Sequence, residues 1–188
     1  GTYTVAIIGT FPAIRMNNGN LVNADRDKLA SIEQWGTNPW ASMNNAFASC
    51  GNMVYNATDE PDLSQVTDMS GLFIGVSTFN GDISGWITES VTDMGGMFYQ
   101  AYAFNRDLGA WEIGSVTNMA DMLSYSGLST ANYSSTLEGW ANPNAPQNIT
   151  LDAEAILYCD DISTAAALNY LTNDKSWAIN DGGFVNCN

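Results

Sequence analysis

The chain has 188 residues, 20 of them acidic and only 5 basic, with no histidine, so its formal net charge at neutral pH is −15. A field of that sign repels nucleic acid and anionic membrane surfaces, and neither is expected as a partner. Hydrophobic residues at 45% in a chain of this length are enough for a dry core, which excludes wholesale disorder. No apolar run reaches the ~18 residues of a membrane-spanning helix, so no membrane insertion is expected. The charge itself suits solubility, or recognition of a cationic or calcium-bridged partner. The chain opens on Gly1 rather than Met and shows no signal peptide, which reads as a piece excised from a longer protein.

In chain order, TYTVAIIG and TFPAIRM read as two short strands broken at Gly9-Thr10, with Pro12 suiting an edge position. They form an expected N-terminal β cap. The polar stretch NNGNLVNADRDKL follows, in which Asn23, Asp25 and Asp27 alternate as the start of a calcium loop would. Lys28 stands where that loop needs its turn glycine, and Gln34 where it needs a bidentate glutamate. A capped, solvated turn is the reading preferred there. No cofactor is expected, with calcium alone left open.

Beyond Ile32 the chain repeats itself. Val66 opens VTDMSGLF, Val91 opens VTDMGGMF and Val116 opens VTNMADML, each 25 residues after the last. Met69, Met94 and Met119 fall in register, as do Phe73, Phe98 and Leu123, Phe79 and Phe104, and Trp86 and Trp111. A degenerate first unit opens at Trp40, with Met43 and Phe47 preceding Met69 and Phe73 by 26. A period of this size marks stacked units that bury apolar faces only against each other. Within a unit, M-x-x-x-F/L places two apolar residues one helical turn apart, so one short helix or turn per unit is expected. DISGWIT and LGAWEI read as the strand of each unit. The buried set Ile83, Trp86, Thr88, Val91, Met94 and Phe98 follows the rhythm of a leucine-rich repeat. The last unit carries an insertion, SYSGLSTANYSSTLEGWANPNAPQ, with Leu137 and Trp140 in the roles of Ile83 and Trp86. NITLDA then reads as a final strand and STAAALNYLTND as a closing helix.

There are three cysteines. A Cys159–Cys187 disulfide would stabilise by about 3 kcal/mol in the chain-entropy model and imply an oxidising compartment; two buried free thiols are the alternative. Cys50 occupies the register position of Val76, Ala101 and Ser126, a small slot that needs no redox chemistry.

The strings VTDMSGLF…FNGDISGW and VTDMGGMF…FNRDLGAW, with LASIEQWG, SMNNAFASC and LSTANYSSTLEGWA beside them, resemble the BspA-like leucine-rich-repeat family of bacterial surface proteins. The resemblance implies an α/β solenoid. This would be a leucine-rich-repeat-like right-handed coil of about four 25–26-residue units, with an N-terminal β cap and a C-terminal strand/helix cap. One domain is expected over 1–188, with lead-in 1–39, array 40–141 and C-terminal cap 142–188. The resemblance also implies a monomeric module of a large extracellular adhesin at the cell surface, attaching to a protein or glycan of the host, a neighbouring cell or the matrix.

In such a unit, strand residues between the buried ones line the concave face. By register these are Gln34, Gly36, Glu60, Asp62, Ser64, Gly85, Ile87, Glu89, Ala110, Glu112, Gly114, Gly139 and Ala141. Ile87 beside Ala110 would be an apolar patch ringed by Glu60, Asp62, Glu89 and Glu112, and the small residues would admit a ligand to the backbone. Tyr99, Gln100 and Tyr102 form a second, weaker candidate. No catalytic role is expected: there is no histidine, no G-x-S-x-G or H-E-x-x-H string and no zinc cluster. A structural spacer, stiffened by calcium, is the alternative function.

Overall fold

The structure is a computed structural model that describes Thr4, residues 11–16 and residues 26–187. The first expected N-terminal strand, the start of the second, and the Asn23 and Asp25 positions lie outside the described residues. Where residues 11–16 are seen they are irregular rather than strand. Met16 N–H donates to the Ala46 carbonyl and Ala41 N–H to the Pro12 carbonyl, so this segment ties to the first repeat through single backbone hydrogen bonds.

Regular structure among the described residues is sparse. β1 (Ser31–Ile32) pairs with β2 (Val54–Tyr55), and all further elements follow the repeats. These are α1 (Thr130–Trp140), β3 (Thr150–Ala153), β4 (Tyr158–Cys159), α2 (Ile162–Asn169), a π-helical turn at Tyr170–Asp174, β5 (Ala178–Asp181) and β6 (Phe184–Val185). β3 pairs with β5 and β4 with β6, and all three sheets are two-stranded and parallel. This is a small mixed fold, and it corrects the expected leucine-rich-repeat-like coil. No strand forms over DISGWIT or LGAWEI, and no helix forms in the VTDM units.

The backbone explains why. In the VTDM turns, a residue with positive φ recurs every fourth position: Gly71 and Gly75, Gly96 and Gln100, Asp121 and Tyr125. A residue in that region cannot propagate a helix, and it turns its peptide sideways. The amides of Met69, Gly71, Phe73 and Gly75 therefore donate across to the carbonyls of Asp93, Gly95, Met97 and Tyr99, at 2.7–2.9 Å. Met94, Gly96, Phe98 and Gln100 do the same to Asn118, Ala120, Met122 and Ser124. Intervening amides close three-residue turns, such as Leu72 N–H to the Met69 carbonyl. On the tryptophan side the repeats are joined largely by side chains instead: Trp111 Nε1 donates to the Ile83 carbonyl (3.0 Å) and Thr88 Oγ1 to the Glu112 carbonyl (2.9 Å).

Between these two sets of bonds lies the core. Phe47, Phe73 and Phe98 stack ring on ring at 5.8 and 6.0 Å, and Phe79 and Phe104 lie against Phe73 and Phe98 at 3.7 and 3.9 Å. Met43, Met69, Met94 and Met119 are all fully buried beside them. Cys50 is a free, buried thiol in a slot shared by register with the buried Val76, Ala101 and Ser126, and burial pushes it up to about 11.

The glycines give a test of the turn geometry. Gly96 has φ 62°, and a Cβ there would meet nothing nearer than Ile74 Cδ1 at 3.8 Å. Gly96→Ala should cost about 1 kcal/mol from backbone strain alone. Gly71→Ala carries the same strain and also drives its Cβ to 2.6 Å from Asn45 Oδ1, so it should cost more. Urea unfolding of both variants checks this; a neutral Gly96→Ala would mean the positive φ is wrong.

α1 closes the repeats. Ser129 caps it, its side chain accepting from Asn132 N–H at 3.3 Å, and Tyr133, Leu137 and Trp140 form its buried stripe. α2 is capped by Asp161, which accepts from Thr164 N–H at 2.8 Å. Cys159 and Cys187 form a disulfide that ties β4 to the chain beyond β6. Lys175 is buried, and its ammonium donates to the carbonyls of Pro143 (2.6 Å) and Ala145 (2.8 Å), which holds the Pro/Asn-rich loop in place.

Candidate functional site

The positions expected to line a concave strand face lie mostly on turns and irregular segments, with Asp62 in an isolated bridge and Gly139 inside α1, because the tryptophan segments form no strands. Their exposure still alternates: Ile83, Trp86 and Thr88 are buried while Gly85, Ile87 and Glu89 are exposed. Ile87 is 63% exposed, a large apolar side chain standing in water.

Glu89 and Glu112 meet in one open hollow of about 330 Å³, completed by Gly114, Ser115 and Asn144. Both glutamate backbones are held by the neighbouring repeat, Ser115 Oγ donating to the Glu89 carbonyl (2.7 Å) and Thr88 Oγ1 to that of Glu112. The two carboxylates thus project from fixed backbone, and no Lys or Arg lines the hollow. Asn144 is an addition the sequence did not announce, brought in by the Pro/Asn-rich loop that Lys175 anchors.

The other expected residues divide. The Glu60 carboxylate lies over Gly85, filling the space a Cβ would take there. The carbonyl of Asn144 stands 3.1 Å from the Cβ position of Gly114, and the backbone of Gly109 covers Gly139. These glycines therefore admit the protein's own atoms, not a ligand. Ala110 is exposed on a turn, and Ala141 is half-buried at the end of α1. Gln34 and Gly36 are exposed near β1, away from the hollow's lining.

Several acidic residues are occupied by the fold. Asp62 Oδ1 accepts from Ser64 Oγ (2.7 Å) and Ser64 N–H (3.1 Å), and Asp82 does the same with Ser84. Asp59, which the sequence did not mark, accepts from the amides of Trp35 (3.0 Å) and Gly36 (2.8 Å). The serine hydroxyls hold the Asp62 and Asp82 carboxyls below the usual range, and the Trp35 amide does so for Asp59. A folded-state value below the unfolded one contributes stability that is present above the unfolded pKa of ~3.9 and lost as pH falls through the folded value. Asp59→Asn should therefore lower stability at neutral pH, and its gap to the native chain should narrow below about pH 4. A gap independent of pH in acid-titrated melting curves would contradict this.

The second candidate is larger than the first. Tyr99 lines a hollow of about 480 Å³ with Asp93, Asn118, Asp121, Ile74 and the glycines 95 and 96. Gln100, whose backbone N–H donates to the Ser124 carbonyl, and the 60%-exposed Tyr102 are not part of the lining. Asp93 and Asp121 sit in the VTDM and ADML strings, where the repeat pattern marks only the apolar positions. Among the described residues no group of three His, Cys, Asp or Glu side chains could hold a metal, and no helix is long and apolar enough to cross a membrane.

No curated protein and no solved structure matches the chain. A family model does match, over residues 20–152, which takes in all the VTDM repeats and α1. It is not a BspA-like leucine-rich-repeat model, so the expected membership of that family is corrected, along with the leucine-rich-repeat geometry. The chain belongs to the family described as Mycoplasma protein of unknown function, DUF285.

Proposed function

We propose that this protein is a binding module without catalytic turnover, one that attaches to a protein surface outside the cell through the Glu89–Glu112 hollow and Ile87 beside it. The observation that carries the reading is the pairing of two free-standing carboxylates in one hollow with no cation of the chain in its lining. Two carboxylates lining one open hollow without a cation of the chain are complementary in charge to a basic partner loop. Ile87, exposed and two residues before Glu89 though outside the hollow's lining, offers an apolar contact to the same partner. The disulfide supports an oxidising, extracellular setting. A glycan is a weaker occupant, because the lining of this hollow includes no aromatic ring.

The variant Glu89→Lys with Glu112→Lys should fold, since both side chains are exposed, and should lose about tenfold or more in binding to cells or matrix proteins. Undiminished binding by the folded double variant would remove this face from the account. Silent binding screens, together with melting that rises with calcium, would favour the spacer reading instead.

A further inference from the structure

We infer that the hollow around Tyr99 is a second binding site, built for a single arginine or lysine side chain of a protein partner. It shares no residue with the Glu89–Glu112 hollow and stands independently of that reading.

The inference rests on how the walls differ from one another. Gly96 lacks a side chain, and the nearest atom to the place its Cβ would occupy is Ile74 Cδ1 at 3.8 Å, which leaves that part of the hollow open. The space beside Gly95, by contrast, is taken by the Asn118 amide and the Asp93 carboxylate. Tyr99 forms an aromatic wall, held by an edge-to-face contact with Tyr125 at 5.9 Å, and Tyr125 is pinned in turn by its hydroxyl on Glu154. Asp93 and Asp121 supply the charge. Asp93 Oδ1 already accepts from Gly95 N–H and Asn118 Nδ2, both at 2.9 Å, and this fixes the carboxylate while leaving Oδ2 uncommitted. Asp121 is exposed; its backbone amide is held at 3.0 Å by Asp152 Oδ2, while its own carboxylate has no hydrogen-bond partner among the described residues.

An aromatic face beside preoriented carboxylates is the arrangement that favours a cation: the ring quadrupole attracts it, and the carboxylate makes charge-assisted hydrogen bonds. The chain does not provide that cation. Arg106 is committed to the Asn80 carbonyl and Lys175 is buried on Pro143 and Ala145, and no basic residue lines the hollow. The net charge of −15 steers a cationic segment toward it from a distance.

The test titrates the blocked pentapeptide acetyl-Gly-Gly-Arg-Gly-Gly-amide into the ¹⁵N-labelled chain, with the isosteric but uncharged citrulline peptide as its control. Saturable amide shifts clustered at Gly95, Gly96 and Ala120 are expected for the arginine peptide and not for the citrulline one. The variant Asp93→Asn with Asp121→Asn keeps the turn hydrogen bonds and tolerates the positive φ, so a native-like spectrum with about tenfold weaker binding is expected. Asp174→Asn, which removes an exposed carboxylate outside both hollows, should bind as the native chain does. Shifts spread evenly over the acidic surface, equal binding of the citrulline peptide, unweakened binding by the folded Asp93/Asp121 variant, or no saturable binding would each overturn the proposal. Equal citrulline binding would point to a neutral hydrogen-bonding ligand such as a saccharide.

Discussion

Replacing Trp111 with alanine is expected to destabilise the protein by about 3–5 kcal/mol, the range for removing a large buried aromatic. The side chain is 2% exposed and packs on Phe98 at 6.3 Å, in the column of rings that runs through the repeats. Its indole N–H also donates to the Ile83 carbonyl at 3.0 Å in a fully buried bond. Alanine thus leaves a cavity and takes away one of the two donors on the Ile83 carbonyl, which keeps the Trp86 amide at 3.1 Å. Trp111→Phe separates the two effects, since it keeps most of the ring volume and loses the bond; with the Ile83 carbonyl still held by the Trp86 amide, a cost of about 1 kcal/mol is expected for the lost bond. For a chain of this size, the alanine variant should melt about 10 °C lower. Calorimetry showing a loss within 1 °C would mean that the tryptophan column does not hold the repeats together.

Gly139→Ala should be nearly as damaging, for the opposite reason. Gly139 lies within α1, where alanine would ordinarily gain about 1 kcal/mol in helix propensity. Here the added Cβ would sit 2.5 Å from Gly109 Cα and against the Gly109 carbonyl, and neither can swing aside as a side chain could. Either α1 lifts off the repeats or the 109–110 turn deforms, at about 3 kcal/mol net of the propensity gain. Gly85→Ala is the control. Its added Cβ meets only the Glu60 carboxylate, the far end of a flexible side chain that can rotate into water. Denaturant midpoints that fall equally for both variants would show that the Gly109–Gly139 backbone contact has no special role.

These two sites show unequal legibility. The tryptophan column is visible in the sequence because side chains recur at a fixed interval, and a recurring bulky residue has to be buried somewhere. The glycine contact is not visible, because the partner of Gly139 is backbone 30 residues away and leaves no residue-type signal. α1 was hidden for a related reason. Its serines, threonines and asparagine are indifferent helix formers, and only the burial of Tyr133, Leu137 and Trp140 against the repeats selects the helix. In the other direction, the alternation in DISGWIT suggested strands that do not form, because the adjoining repeats meet there through indole and hydroxyl groups instead of a backbone ladder.

By itself, then, the sequence determined the repeat interval, the membership of the aromatic and methionine core, the small slot at Cys50 and the acidic character of the surface. Each of these depends on residue identity at a spacing, which local chemistry carries. The tertiary structure alone decided which carboxylates stand free and which are spent: Asp59, Asp62 and Asp82 on amides and hydroxyls, Glu60 over Gly85, and Glu89 with Glu112 and Asp93 with Asp121 left facing open hollows. The reason is physical. A carboxylate's role depends on whether a donor stands within hydrogen-bond distance, and those donors arrive from turns two residues on or from repeats 25 residues away, by way of backbone angles that side-chain patterns do not encode.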